Sequence, residues 1–318
     1  MIKRKVVIIG DGFVGSTTAY TLALANYISE ISIVDINKEK AEGDALDIMH
    51  GMSFVSPKIV KAGDYSDIKD AHIVVLTAGV AQKENETRID LLKRNIKVFD
   101  SIIESMKPYV HDDLIVLVVT NPVDVLTYYT YTKLNLSSNQ VIGSGTVLDT
   151  ARLKHLISED TGVDSRNIHT FVLGEHGDSE VPAFSVTSVG GLPLEKYCSR
   201  CGKCKGGQLR KLFNLHEKVK NAAYEIISKK GATYYAVALA VSRIVEAIIN
   251  NTHSVLTISI LIDNEKEFGI KDFYFSLPTV VGEKGVEKII QLDYDEHERK
   301  LLIDSGNKIK KLIDELGV

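Results

Sequence analysis

The sequence has no tryptophan, only three cysteines and a small net charge of −4. Its lysines and arginines are scattered, so no basic patch predicts binding to nucleic acid or to a membrane surface. The apolar run from Leu114 to Val119 is far too short to span a bilayer. The basic residues at the start are followed by an apolar run too short for a secretory signal. We therefore expect a cytoplasmic protein.

The three cysteines lie close together as Cys198, Cys201 and Cys204. Such spacing is typical of metal-binding or redox sites. A structural zinc site needs four ligands, however, and the nearest candidate in sequence, His216, lies twelve residues beyond Cys204. The pattern favours a reduced surface loop and predicts no metal centre. An adventitious metal site or an oxidisable pair is the alternative.

The beginning of the chain carries the pattern of a dinucleotide site. The apolar run Lys5–Ile9 predicts a strand, and Gly10, Gly12 and Gly15 follow it as G-x-G-x-x-G at the start of a predicted helix. A second predicted strand ends in Asp35, twenty residues after Gly15. The glycines permit a tight turn, close approach of a pyrophosphate and close helix packing, while the acid can bind a ribose diol. Its charge would repel a 2′-phosphate, so the motif favours NAD over NADP.

Strand and helix patterns alternate through the first half of the chain, and the strands are continuously apolar. This predicts a Rossmann-type, doubly wound parallel sheet covered by helices on both faces, an α/β fold. We expect an NAD-binding domain over residues 1–145 and a mixed α+β substrate domain over 146–318. The second half predicts strands at 168–173, 182–189 and 252–262, and a final helix at 295–316. A helix is also expected from Asn121-Pro122 onward, with Asn121 as its cap.

Four islands of polar residues stand at the ends of predicted elements, where function tends to lie. They are Gln82–Arg88, Asn121–Asp124, Asp149–Arg152 and Gly174–Asp178. In this order and spacing they resemble the NAD-dependent L-lactate dehydrogenases of bacteria, and the similar malate dehydrogenases share most of the pattern. The resemblance covers nearly the whole chain. It implies a homotetramer that interconverts pyruvate and L-lactate.

The resemblance implies a catalytic role for three side chains. His176 would exchange the proton, as a group that titrates near neutrality can. Asp149 would hold the imidazole and raise its pKa. Arg88 would polarise the substrate carbonyl from a mobile loop. Arg152 would grip the substrate carboxylate with paired hydrogen bonds.

Three further positions match the substrate pocket of the family. Gln82 stands where malate dehydrogenases carry arginine, so its neutral side chain favours pyruvate over oxaloacetate. Thr233 matches a pocket-lining residue, and Asn121 matches one that contacts both substrate and nicotinamide. Glu84-Asn85 departs from the usual Pro-Gly of the mobile loop, which leaves closure and substrate affinity open.

Other matching positions would contact the cofactor or a regulator. The expected NAD contacts are Val14, Lys40, Tyr65, Gly79, Asn121 and Ser144, besides Gly10, Gly12, Gly15 and Asp35. Many bacterial relatives bind fructose 1,6-bisphosphate between subunits through an arginine and a histidine. His169 matches that histidine, whereas Lys154 stands at the arginine position and lacks its forked geometry. The sequence leaves activation by this sugar phosphate open.

Two other functions compete with this interpretation. A malate dehydrogenase is the nearest, and Gln82 argues against it. A non-enzymatic NAD sensor would need the nucleotide motif but not the combination of His176, Asp149 and Arg152. The joint presence of these three residues favours the enzyme.

Overall fold

The structure is a computed structural model, which describes residues 4–80, 88–200, 208–266 and 268–317. The helices are α1 (Phe13–Leu24), α2 (Lys38–His50), α3 (Arg88–Met106), α4 (Val123–Lys133), α5 (Val147–Thr161), α6 (Leu194–Arg200), α7 (Gln208–Lys230), α8 (Tyr235–Ile249) and α9 (Glu296–Leu316). The strands are β1 (Lys5–Ile9), β2 (Glu30–Val34), β3 (Ile59–Ala62), β4 (Ile73–Leu76), β5 (Ile115–Val118), β6 (Val141–Gly143), β7 (Ile168–His169), β8 (Val172–Leu173), β9 (Val181–Pro182), β10 (Ser188–Val189), β11 (Leu192–Pro193), β12 (Ser254–Ile262), β13 (Phe273–Gly282) and β14 (Gly285–Ile289).

One nine-stranded sheet organises the described part of the chain. Its order is β14-β13-β12-β6-β5-β4-β1-β2-β3. The six strands from the first half pair in parallel, whereas β12, β13 and β14 pair antiparallel. Strand β12 joins β6 through the antiparallel pair Ser259–Gly143. The predicted α/β fold is therefore confirmed, with a sheet that continues beyond the parallel strands into the second half.

The strands form because apolar residues fill them from end to end. Every residue of β1, β4 and β5 is buried, as expected when helices cover both faces of a parallel sheet. Helix α1 packs against α8 and so joins the two halves of the chain. A second, smaller hydrophobic cluster lies beneath α5, α6 and α7, around Leu153, Ile168 and Val219.

The carboxyl ends of the parallel strands bring the predicted site residues to one edge of the sheet. Gly10 follows β1, Asp35 follows β2, Gly79 comes shortly after β4, Asn121 after β5 and Ser144 directly after β6. In doubly wound sheets, ligands bind outside this edge. The fold thus gathers residues that are widely separated in sequence.

Several sequence expectations in the second half were wrong in detail. The single strand expected at 168–173 is two short strands, β7 and β8, which belong to different sheets. The strand expected at 182–189 is β9, a 3₁₀ turn at Phe184–Val186 and then β10. Strands β13 and β14 and helix α6 were not predicted. The position of a strand in these segments depends on pairing partners far along the chain and not on local apolar periodicity.

The cap expected at Asn121 was also wrong. Pro122, in an extended conformation, occupies the N-cap of α4, and no side chain caps this helix end. The carbonyl of Asn121 instead accepts a hydrogen bond from the side-chain amide of Asn95, at 3.2 Å. Asn121 is therefore held through its backbone by α3.

The cysteine region differs from the expected surface loop where it can be described. Cys198 lies in α6, is half-buried and packs against the second hydrophobic cluster. Cys201 and Cys204 lie outside the described residues. Across the described ranges, no group of three or more metal-binding side chains could hold a metal ion. No described helix is long and apolar enough to cross a membrane.

Candidate active site

The centre of the site is a histidine, an aspartate and an arginine in direct contact. His176 Nδ1 lies 2.6 Å from Asp149 Oδ2, and Arg152 Nη1 donates to Asp149 Oδ1 at 2.7 Å. Asp149 and Arg152 are three residues apart on α5 and so share one face of the helix. Asp149 is only 2% exposed. The carboxylate therefore fixes both neighbouring side chains; the family resemblance had implied its pairing with His176, whereas its contact with Arg152 was not predicted.

The electrostatics of this trio favour a protonated imidazole. Burial acts to lower the pKa of His176, but the charge and hydrogen bond of Asp149 outweigh it and raise the pKa to about 9. Burial likewise acts to raise the pKa of Asp149, and the cationic His176 and Arg152 hold it below its usual range. Because Asp149 holds Nδ1, the other ring nitrogen, Nε2, remains to exchange a proton with a ligand.

Asp124 is a site residue to which sequence reasoning assigned no role. Its Oδ2 accepts the backbone N–H of His176 at 2.8 Å, and its Oδ1 accepts the hydroxyl of Ser259 at 2.5 Å. Burial raises the pKa of Asp124 to about 7, against the bond from Ser259. Asp124 thus ties the loop between β8 and β9, residues 174–180, to α4 and β12; this segment, which carries His176, is called the histidine loop. Its presence in the Asn121–Asp124 island was the only available signal, since the contacts join residues far apart in sequence.

The glycine loop has the shape that a pyrophosphate needs. Gly10 has φ +103°, and a side chain there would collide with the backbone of Ala78. A Cβ at Gly15 would lie 1.8 Å from the carbonyl oxygen of Gly10. At Gly12, by contrast, a Cβ would meet no atom within 4 Å. The space in front of Gly12 and the N-terminus of α1 therefore suits a bound phosphate group.

Asp35 is oriented by backbone donors at the end of β2. Its Oδ2 accepts the N–H of Asp11 at 2.6 Å, and its Oδ1 accepts the N–H of Asn37 at 2.7 Å. Each carboxylate oxygen keeps a lone pair for a ribose hydroxyl. Lys40 Nζ, expected to contact the cofactor, donates to the carbonyl of Asp11 at 2.5 Å and lies 2.6 Å from Asp44 Oδ2. Lys40 therefore supports the loop beneath Asp35.

The remaining predicted contacts lie around the same edge of the sheet. Val14 is half-buried in α1, and Tyr65, also half-buried, lies within the electrostatic influence of Asp35. At Gly79 a side chain would press on Thr120, and the N–H of Ser144 donates to the carbonyl of Val118.

Thr233 is brought near the glycine loop by an aromatic contact. It precedes α8 in sequence, and the next residue, Tyr234, stacks on Phe13 with ring centroids 5.3 Å apart. Phe13 is the first residue of α1 and directly follows Gly12 of the glycine loop. The segment that carries Thr233 therefore lies next to the glycine loop.

Part of the predicted substrate pocket lies outside the described residues. This applies to Gln82 and to Glu84-Asn85, and to the side chain of Arg88, whose backbone begins α3. The two residues of the suggested regulatory site have different surroundings. Lys154 lies on α5, where burial and the nearby Arg243 lower its pKa. His169 is exposed on β7.

Comparisons with known proteins agree with this geometry. Residues 4–143 match the family model described as the lactate/malate dehydrogenase NAD binding domain. Residues 146–317 match that of the lactate/malate dehydrogenase alpha/beta C-terminal domain. An L-lactate dehydrogenase of Acetivibrio thermocellus is 52% identical over 315 residues, which cover 99% of this chain and 98% of the relative.

Solved structures give the same result. A lactate dehydrogenase from a Medee basin deep-sea metagenome library superposes with a TM-score of 0.95 at 42% identity, covering 100% of both chains. The minor L-lactate dehydrogenase of Enterococcus mundtii, in its ligands-bound form, gives a TM-score of 0.93 at 41% identity, covering 99% of both. The chain therefore belongs to the lactate/malate dehydrogenase family and carries its NAD-binding domain.

Proposed function

We propose that this protein is an NAD-dependent L-lactate dehydrogenase, which interconverts pyruvate and L-lactate. The observation that carries the proposal is the trio of His176, Asp149 and Arg152, in which one buried carboxylate contacts both cations. Relatives about half identical over nearly their whole length are named L-lactate dehydrogenases. The trio provides both a proton donor and a cation for a small 2-keto acid.

Arg152 is the proposed anchor for the substrate carboxylate. Only one of its guanidinium nitrogens is committed to Asp149 in the contacts described, so its planar fork keeps donors for two parallel hydrogen bonds. His176, protonated at neutral pH, would donate from Nε2 to the carbonyl oxygen that becomes the hydroxyl of lactate. When bound, the nicotinamide of NADH supplies the hydride for reduction. Asn121 and Thr233 would complete the pocket around these groups.

The described residues fit the cofactor. Gly12 leaves open space at the N-terminus of α1, and Asp35 presents oriented carboxylate oxygens for a ribose. We infer that Gly10, Gly15, Val14, Tyr65, Gly79 and Ser144 complete the walls of the NAD site. Lys40 would act through Asp11 rather than by direct contact.

Two proposed roles belong to the segment outside the described residues. Gln82 would favour pyruvate over oxaloacetate because it offers no cation for a second carboxylate. Arg88 would stabilise the charge that develops on the carbonyl oxygen. Both roles follow from the family resemblance.

We also propose a homotetramer of two-domain subunits, divided at residues 1–145 and 146–318, that works in the cytoplasm in fermentation after glycolysis. Fructose 1,6-bisphosphate is the proposed effector, bound through Lys154 and His169. The lowered pKa of Lys154 argues for a weaker phosphate contact than an arginine would give. Pyruvate reduction with and without the sugar phosphate, together with sedimentation, tests effector and assembly.

The function is tested by following NADH absorbance after addition of pyruvate or oxaloacetate. We expect a much higher kcat/KM for pyruvate. The His176→Ala variant should bind NADH like the wild type and lose nearly all turnover, because it keeps the nucleotide loop but not the proton donor. Preference for oxaloacetate would make the protein a malate dehydrogenase, and retained turnover in the variant would remove His176 from its role.

A further inference from the structure

A second buried carboxyl group, that of Glu180, lies within the electrostatic influence of the proposed catalytic trio. Glu180 is the last residue of the histidine loop, directly before β9, and is only 4% exposed. Its Oε1 atom has no hydrogen-bond partner among the described residues. A buried ionised carboxylate with an unsatisfied oxygen is costly, so this group has a strong reason to hold a proton.

The charges that act on Glu180 come from three sides. Helix α5 contributes Asp149 and Arg152, and the histidine loop itself contributes His176. Helix α7 contributes Lys220 and also His216, whose Nε2 contacts the carbonyl oxygen of Glu180 at 3.2 Å. Glu180 therefore belongs to the same electrostatic cluster as the residues that would receive the substrate.

We propose that Glu180 is a positioning residue that couples binding of the substrate anion at Arg152 to the uptake of a proton. The reason is a count of charges. Near pH 8, with Glu180 neutral, the cations Arg152, His176 and Lys220 and the anions Asp149 and Asp124 leave a net charge of about +1, which matches one pyruvate carboxylate. With Glu180 ionised, the cluster is already neutral, and a bound anion would be in excess in a poorly hydrated site. This inference rests on the proposed role of Arg152.

Titration of Glu180 falls in a range where the coupling can be measured. Burial and the charge of Asp149 raise the pKa of Glu180 to about 8, against the opposing charges of His176 and Arg152. Near pH 8 about half of the Glu180 side chains and about a tenth of the His176 side chains should lack a proton. A substrate anion that binds only the protonated cluster must then draw protons from solution.

Oxamate is the probe, since it has the shape and charge of pyruvate and cannot be reduced. It is titrated into the NADH-saturated enzyme near pH 8, with calorimetry in buffers of different ionisation enthalpy. We expect the wild type to take up about 0.6 of a proton per oxamate. Glu180→Gln should take up only about 0.1, the share of His176 alone. Glu225→Gln, which changes an exposed carboxyl on α7, should behave like the wild type.

The pH dependence of affinity separates this role from a merely structural one. Near pH 6 Glu180 is protonated in the wild type, and the variant carries a neutral amide at this position. The two proteins should therefore bind oxamate equally. Near pH 9 the variant should bind about tenfold more tightly, because only about a tenth of the wild-type Glu180 side chains are then protonated, and its advantage for pyruvate should lie in KM rather than kcat. A variant that is equally weakened at both pH values has lost packing only, and this would overturn the proposal.

The wild type alone decides the matter if Glu180→Gln does not fold. Uptake near 0.1 of a proton near pH 8 would leave no share for Glu180 and would refute the inference. Failure of oxamate to bind, or no loss of its affinity in Arg152→Lys, would instead refute the proposed substrate site. The two failures are therefore distinguishable.

Discussion

Replacing Asp149 by Asn tests the electrostatic core of the site. The amide keeps the size of the carboxyl but removes the charge that faces His176 at 2.6 Å and Arg152 at 2.7 Å. Burial of His176 is unchanged in the variant, and burial acts to lower its pKa. The imidazole should therefore become a much weaker base.

The structure supplies the magnitude of this effect. Against burial, Asp149 raises the pKa of His176 from 6.5 to about 9. That difference corresponds to about 3 kcal/mol of preference for the protonated ring. In the variant the pKa should fall to 6.5 or below, so at a pH of about 7.5 at most about a tenth of the rings would be protonated. Pyruvate reduction should slow at least tenfold from this cause alone, and further because the tautomer is no longer fixed.

The assay is the pH profile of kcat/KM for pyruvate. The wild type should keep its activity to about pH 8, above which ionisation of Glu180 weakens pyruvate binding, and should lose the remainder near pH 9 as His176 gives up its proton. Asp149→Asn should decline from a midpoint at or below 6.5 and recover on acidification. Asp160→Asn, an exposed position on the same helix, is the matched control. An unchanged midpoint in Asp149→Asn would refute the reasoning.

Three further predictions follow from individual contacts. Asp124→Ala should lower the free energy of unfolding by about 1–3 kcal/mol, because the His176 N–H and the Ser259 hydroxyl lose their acceptor. It should also reduce kcat while NADH affinity stays constant; calorimetry and NADH titration measure these effects. Gly12→Ala should leave Tm unchanged, because its Cβ would meet no atom within 4 Å, but should weaken NADH binding about tenfold. Gly15→Ala should lower Tm, because its Cβ would lie 1.8 Å from the Gly10 carbonyl oxygen. Asp35→Asn should raise the kcat/KM ratio of NADPH to NADH, because a negative charge near the 2′-position is removed.

Each of these expectations has a clear opposite outcome. Wild-type kcat and Tm in Asp124→Ala would mean that the histidine loop needs no anchor on α4. Tight NADH binding by Gly12→Ala would place the pyrophosphate elsewhere. An unchanged NADPH to NADH ratio in Asp35→Asn would show that another group excludes the 2′-phosphate.

Much of the nucleotide-binding half could be predicted from the sequence because its signals are local. The strand Lys5–Ile9, the glycine loop and Asp35 lie within one βαβ unit. The strand before the glycines and the acid twenty residues after them each support the same prediction of a nucleotide site. The antiparallel strands β13 and β14 could not be predicted in this way. Their pairing partners, such as β12, lie outside any sequence window, and β13 has no alternation because nearly all of it is buried.

The sequence by itself determined which residue types are available for catalysis and roughly where they stand along the chain. Family resemblance marked His176, Asp149 and Arg152, and the structure brings their side chains into contact. Only the tertiary structure decided that Asp124 anchors the histidine loop and that Glu180 is buried beside the trio. Burial and unsatisfied polar atoms depend on what distant segments cover, and no pattern in neighbouring residues encodes them.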